Sequence, residues 1–336
     1  YKNDNYFPGR IISEQKSLYR IGSEKGEFLA SISGKMMYQT CGKGNFPAVG
    51  DWVILELPKQ SDRCVIHGIM PRKSVFKRKE AGNKREEQVV ASNIDYAFIV
   101  SALDHDFNLR RIERYLTLTW ESGAVPVLLL NKADLGLHVE EKVNLLEKIS
   151  FGVSIHVVSC YDFRGFESLL TYDQPGITIA LLGSSGVGKS SIINHLLGND
   201  SQLTQSVRKG DDHGRHTTTS RELFKLPHGG QMIDTPGMRE LQLTSIDLGM
   251  AESFQDIETL SKKCRYANCQ HRTEPGCAVL LAIENGILDP ARLKSFQKLQ
   301  RENSYISQKE NKINNDKEKW KKTISKLQKQ FKKASF

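Results

Sequence analysis

Gly183-Ser184-Ser185-Gly186-Val187-Gly188-Lys189-Ser190 is the stretch that decides how this chain folds. It fits GxxxxGK[ST] and lies between the apolar run Ile177–Leu182 and the amphipathic Ser191-Ile-Ile-Asn-His-Leu-Leu, so a strand should enter it and a helix should leave it. Gly186 and Gly188 let backbone N–H groups wrap phosphate oxygens, Lys189 meets the charge of the outer phosphates, and the Ser190 hydroxyl is suited to Mg2+. The expected phosphate contacts run from Gly183 through Ser191.

A phosphate loop does not choose its base. Upstream, Asn131-Lys132-Ala133-Asp134 follows the apolar Val125–Leu130, and NKxD in that place reads guanine. Guanine offers N1–H and N2–H2 donors side by side, which the Asp134 carboxylate can accept together; adenine would leave that carboxylate unpaired. Ser159-Cys160, after the next apolar run, could add a backbone N–H to the guanine oxygen. Downstream, Asp234-Thr-Pro-Gly237 fits DxxG, in which Asp234 holds Mg2+ through water and the Gly237 N–H meets the γ-phosphate. Between the two lies Gly214-Arg-His-Thr-Thr-Thr219, where a switch threonine belongs; of Thr217, Thr218 and Thr219 we choose Thr218. These groups call for GTP or GDP with Mg2+ held by Ser190, Thr218 and Asp234.

The order is informative. NKAD and Ser159 precede the phosphate loop, whereas the usual GTPase order begins with that loop, so the domain is circularly permuted. Met238 stands where Ras-like enzymes place the Gln that orients water, and it cannot do so. His216 is the nearest titratable candidate for that task; its alternative role is a loop histidine paired with Asp211 or Asp212.

The remaining chain divides around this core. Short β-rich runs between Gly9 and Met70 suggest a five-stranded barrel, either an OB-fold or an SH3-like one. The basic, glycine-containing stretch after Pro71 reads as a linker. Apolar runs then alternate with helical stretches, as in an α/β domain with a mostly parallel sheet. Cys264, Cys269, His271 and Cys277 supply three thiolates and an imidazole within fourteen residues, the donor set of one closed structural Zn2+ site. The expected division is a barrel over 1–75, a basic linker over 76–90, the permuted GTPase domain over 91–244 and a zinc-binding helical domain with a lysine-rich tail over 245–336.

The formal charge is +9, but residues 291–336 alone carry fourteen Lys or Arg against four Asp or Glu. That tail, and a second run at Arg72, Lys73, Lys77, Arg78 and Lys79, would favour a polyanion such as nucleic acid. Equally, Trp320, Ile324, Leu327 and Phe331 recur at helical spacing, so the tail could pack one face on its own protein. No apolar run approaches the roughly 20 residues of a spanning helix, no secretory signal is visible, and the six cysteines are too few for a disulfide framework.

NKAD ahead of GxxxxGKS, GRHTTT, DTPG followed by an apolar residue, and CxxxxCxHxxxxxC together resemble the RsgA/YjeQ family of circularly permuted GTPases. The resemblance covers nearly the whole chain. It implies a cytoplasmic GTP hydrolase, stimulated by the small ribosomal subunit, that assists late maturation of that subunit. It also implies an N-terminal OB-fold on ribosomal RNA and a zinc-containing domain touching the same subunit, with His216 as the water-positioning residue. Expected partners are the small subunit, its rRNA and other assembly factors, with no membrane, the chain acting as a monomer. The alternative is a non-catalytic rRNA-binding scaffold in which GTP locks a conformation.

Overall fold

A computed structural model of the chain describes residues 5–15, 18–39, 45–59, 61–79, 87–104, 106–198, 221–234 and 247–308. Two compact units emerge, Tyr1–Gln242 with Leu248–Ser253, and Leu243–Asp247 with Phe254–Phe336.

In the first unit, strands β1 (Tyr6–Gln15), β2 (Leu18–Ser23), β3 (Gly26–Ile32), β4 (Trp52–Glu56) and β5 (Arg63–Ile69) follow one another with a short helix α1 (Gly34–Gln39) after β3. They pair in the order β1-β2-β3-β5-β4, and β4 returns to β1, closing a five-stranded barrel. Closure removes the free edges that short strands would otherwise expose. Alternate residues point inward, and Ile11, Tyr19, Ile21, Val53, Leu55 and Ile66 fill the interior.

Strands β6 (Val75–Lys79) and β7 (Glu87–Ser92) pair antiparallel in a separate two-stranded sheet, where the sequence reads as a linker. Phe76, Val89, Val90 and Ala91 explain the difference: their side chains are buried, so part of this basic stretch belongs to the core. Arg72 is not available to a polyanion. Its guanidinium grips the fully buried Asp51 carboxylate at 2.6 and 2.7 Å, and Ser92 donates to the same group.

Next come β8 (Tyr96–Ala102), α2 (Leu109–Ser122), β9 (Val125–Asn131), α3 (Val139–Glu147), β10 (Ser154–Val157), a 3-10 helix (Phe166–Tyr172), β11 (Thr178–Leu182), α4 (Lys189–Leu196), β12 (Glu222–Lys225), β13 (Gln231–Asp234) and α5 (Asp247–Ser253). β10-β9-β8-β11-β13 run parallel, and β12 adds antiparallel to β13. Because β8, β9 and β11 are covered on both faces, they read as continuous apolar runs rather than alternating ones. Asn108 caps α2 by accepting the Arg111 N–H, and Gly123 ends that helix in the left-handed region.

Barrel and parallel sheet are joined. Ser13 of β1 pairs with Glu222 of β12, making one eleven-stranded ladder. Arg10, almost wholly buried, donates to the carbonyls of Gly50 and Asn93, to Thr178 Oγ1 at 2.8 Å and to Gln231 Oε1. Burial lowers its pKa to about 10 against the opposing pull of Asp95 and Asp51, so it stays charged at neutral pH.

The second unit contains α6 (Gln255–Ser261), α7 (Ala278–Glu284) and helical residues 290–308. Phe254 packs edge-on against Phe296, and the buried Arg292 pairs with Asp256 at 2.6 Å while lying over the Phe254 ring.

Candidate nucleotide site and metal cluster

Strands that run parallel deliver their carboxyl ends to one edge, where ligands of open α/β sheets bind. At this edge β11 ends in the phosphate loop, β9 in NKAD, β10 in Ser159-Cys160 and β13 in Asp234. The fold thus gathers on one rim motifs that lie up to a hundred residues apart in sequence.

Gly188 stands immediately before α4 at φ 96°. A Cβ there would lie 2.1 Å from Asn131 Nδ2, so the loop needs glycine both for its conformation and for the close approach of NKAD. The Asn131 amide donates to the Val187 carbonyl at 2.8 Å, stitching the NKAD segment to the GxxxxGKS loop. Its Oδ1 is buried and has no hydrogen-bond partner among the described residues, which suits a residue that awaits a ligand. Ser159, fully buried, donates to Asp134 Oδ1 at 2.7 Å and fixes a carboxylate that is otherwise exposed. Cys160 beside it is partly buried, which pushes its thiol pKa up, away from a reactive thiolate.

On the phosphate side, Ser185, Gly186, Ser190 and Ser191 are exposed while Val187 is buried as the loop's anchor. The Lys189 ammonium folds back onto the carbonyls of Gly183 and Ser184. Burial raises the Asp234 carboxyl pKa, and the positive charge of Lys189 draws it back down. A loop whose cationic side chain rests on its own carbonyls, facing a partly buried carboxylate, fits a polyphosphate with a divalent ion between them. His216, Thr218 and its neighbours Thr217 and Thr219, Gly237 and Met238 lie outside the described residues.

Three side chains at this rim escape sequence reading. The Lys132 ammonium pairs with Asp104 at 2.8 Å, and Arg111 pairs with Asp106 at 2.8 Å and donates to Ser184 Oγ. Asp104 and Asp106 sit in the turn before α2, which none of the sequence motifs marks.

In the second unit the ligating atoms of Cys264, Cys269, His271 and Cys277 all lie within 4.8 Å of one another. Cys264 Sγ is 3.9 Å from Cys277 Sγ, and His271 Nδ1 is 3.7 and 3.4 Å from those sulfurs. Sulfurs at about 2.3 Å from a tetrahedral Zn2+ stand roughly 3.8 Å apart, so the residues fit that ion. His271 Nε2 lies 2.9 Å from Ser261 Oγ, leaving Nδ1 to face the sulfurs. Burial lowers the His271 pKa, against Glu274 and Glu258, and the neutral ring it favours is the ligating form.

A phosphate loop, guanine-type NKAD and a DxxG carboxylate on one parallel sheet, with the NKAD strand ahead of the phosphate-loop strand, define a circularly permuted P-loop GTPase. A family profile described as RsgA GTPase matches residues 69–244, and another, described as 50S ribosome-binding GTPase, matches 178–324. The chain is 45% identical over 304 residues to the small ribosomal subunit biogenesis GTPase RsgA 2 of Lactiplantibacillus plantarum, covering 90% of this chain and 85% of that one. It is 40% identical to the RsgA of Opitutus terrae, covering 96% and 91% respectively. The crystal structure of YjeQ from Thermotoga maritima superimposes with a TM-score of 0.66 at 26% identity, covering 89% of this chain and 98% of that one. The chain belongs to the RsgA GTPase family.

Proposed function

We propose that this GTPase acts in maturation of the small ribosomal subunit, hydrolysing GTP when docked there, in the cytoplasm. The observation that carries the nucleotide part is the stitching of Asn131 to the phosphate loop, which assembles base and phosphate recognition into one rim. The subunit enters through the relatives, whose names give small-subunit biogenesis. The barrel over 1–75, the basic segment over 76–90 and the zinc domain over 245–336 each offer a grip on rRNA, and the GTPase domain spans 91–244.

In this reading Asp134, held by Ser159, accepts the two guanine donors. The backbone of Gly183–Ser191 and the Lys189 ammonium neutralise the phosphates. Ser190, Thr218 and Asp234 would hold Mg2+, which spreads the negative charge of the phosphates when bound. His216 positions the attacking water, a task Met238 cannot perform, and docking on the subunit brings it there. Cys264, Cys269, His271 and Cys277 would hold a structural Zn2+ that maintains the helical domain.

Single-turnover GTP hydrolysis with and without purified small subunits, at fixed salt, tests this. His216→Ala should keep GTP binding and lose most of the stimulated rate, whereas Lys189→Ala should lose nucleotide binding itself. Full stimulation in His216→Ala removes His216 from the mechanism. Binding of GTP and subunit without turnover in wild type would favour the scaffold alternative.

A further inference from the structure

Between the guanine-reading motif and the phosphate loop runs a second, polar connection. Lys132 Nζ pairs with one oxygen of Asp104 at 2.8 Å, and the other oxygen accepts the Asp106 backbone N–H at 2.8 Å. Asp106 in turn holds Arg111 twice, through its carboxylate at 2.8 Å and its carbonyl at 3.1 Å. The same guanidinium nitrogen that meets the carboxylate also donates to Ser184 Oγ in the phosphate loop, 73 residues further along the chain. The Ser184 carbonyl, like that of Gly183, also receives the Lys189 ammonium.

These contacts have a directional logic. A guanidinium presents several donors in a fixed plane, so one arginine anchored at Asp106 can hold a hydroxyl at a set place, which a lysine cannot do as rigidly. Arg111 comes from the first turn of α2, an element packed on β8, β9 and β6, so the anchor belongs to the core, while Ser185 and Gly186 of the loop it holds are exposed. We propose that Arg111 is a positioning residue for nucleotide binding: it fixes Ser184, keeps the phosphate loop in its cradling shape and ties that shape to the base-reading Lys132 through the Asp104–Asp106 turn.

The proposal rests on the nucleotide site described above. It asks for a selective defect, because the loop cradles the β-phosphate while the base is read elsewhere. Competition against a fluorescent GDP analogue on the full-length chain measures affinity for GDP and GMP. Arg111→Ala should weaken GDP about tenfold and change GMP less than twofold. Ser184→Ala, a single-atom deletion on the loop, should give a similar loss. The double variant should be no weaker than the worse single, because both remove the same contact. Arg111→Lys should recover only part of the affinity.

Equal losses for GDP and GMP, or additive losses in the double variant, would overturn the positioning role. GDP binding that depends on Lys189 yet ignores Arg111→Ala overturns the proposal alone. GDP binding that ignores Lys189→Ala overturns the phosphate-loop reading and the proposal with it.

Discussion

Replacing Gly188 by alanine tests the junction between the two recognition motifs. The residue sits at φ 96°, a region that costs an L side chain about 1–2 kcal/mol. Its new Cβ would also fall 2.1 Å from Asn131 Nδ2, far inside any tolerable contact, and the obstructing atom is buried and bonded to the Val187 carbonyl at 2.8 Å. Relief requires Asn131 to withdraw and leave that carbonyl unpaired, a further cost of about 1–3 kcal/mol. The sum is about 2–5 kcal/mol. Gly186→Ala is the internal control: its φ is 79° but nothing lies within 4 Å of the added carbon, so it should carry only the conformational part, about 1–2 kcal/mol. Urea denaturation of nucleotide-free protein measures both, and Gly188→Ala should have the lower midpoint. Adding Asn131→Ala to Gly188→Ala should cost less than the two single effects combined, since the obstruction is gone. Equal midpoints for the two glycine variants would refute the clash.

Asp134→Asn should weaken GTP and improve xanthosine triphosphate, whose C2 oxygen can accept from the new amide; calorimetry on both nucleotides checks this, and unchanged GTP affinity would remove Asp134 from base reading. Cys264→Ser should lower zinc content and the thermal stability of the second unit, since the metal's binding energy is folding energy there; metal analysis of wild type should return about one ion per chain by the four-ligand count. Arg10→Met leaves the Gly50 and Asn93 carbonyls and Thr178 without their shared donor and should destabilise the first unit by about 3 kcal/mol, with Arg10→Lys a poor rescue. Thermal melts of the three proteins decide it.

Much of the architecture was legible because the relevant strands are buried on both faces. Continuous apolar runs such as Val125–Leu130 and Ile177–Leu182 read directly as β9 and β11, with motif residues at their ends. Five barrel strands were legible from their turns, but the choice between OB-like and SH3-like closure was not; the β1-β2-β3-β5-β4-β1 order settles it as OB-like, since pairings such as β3 with β5 are non-local. β12 was missed because four residues next to a polar segment carry too little periodicity, and it earns its place only by pairing with β13 and β1. The basic stretch hid strands β6 and β7 behind its charge. Asn131, Asp134 and Ser159 carry motif signals in the sequence, but the bonds of Asn131 to Val187 and of Ser159 to Asp134 depend on where separate strands end. Arg111 has no motif at all; only the fold brings it to Ser184.

The pairing of Ser13 with Glu222 has a mechanical consequence. A tether of flexible residues between two modules dissipates a pull, whereas a hydrogen-bonded ladder transmits it. Here the barrel's own first strand continues into the ladder through β12, and Arg20 grips the same Glu222 from β2. Glu222 lies six positions after His216 in the chain. A torque applied to the barrel by whatever it binds is therefore delivered to β12, and through its ladder to β13, whose last residue is Asp234.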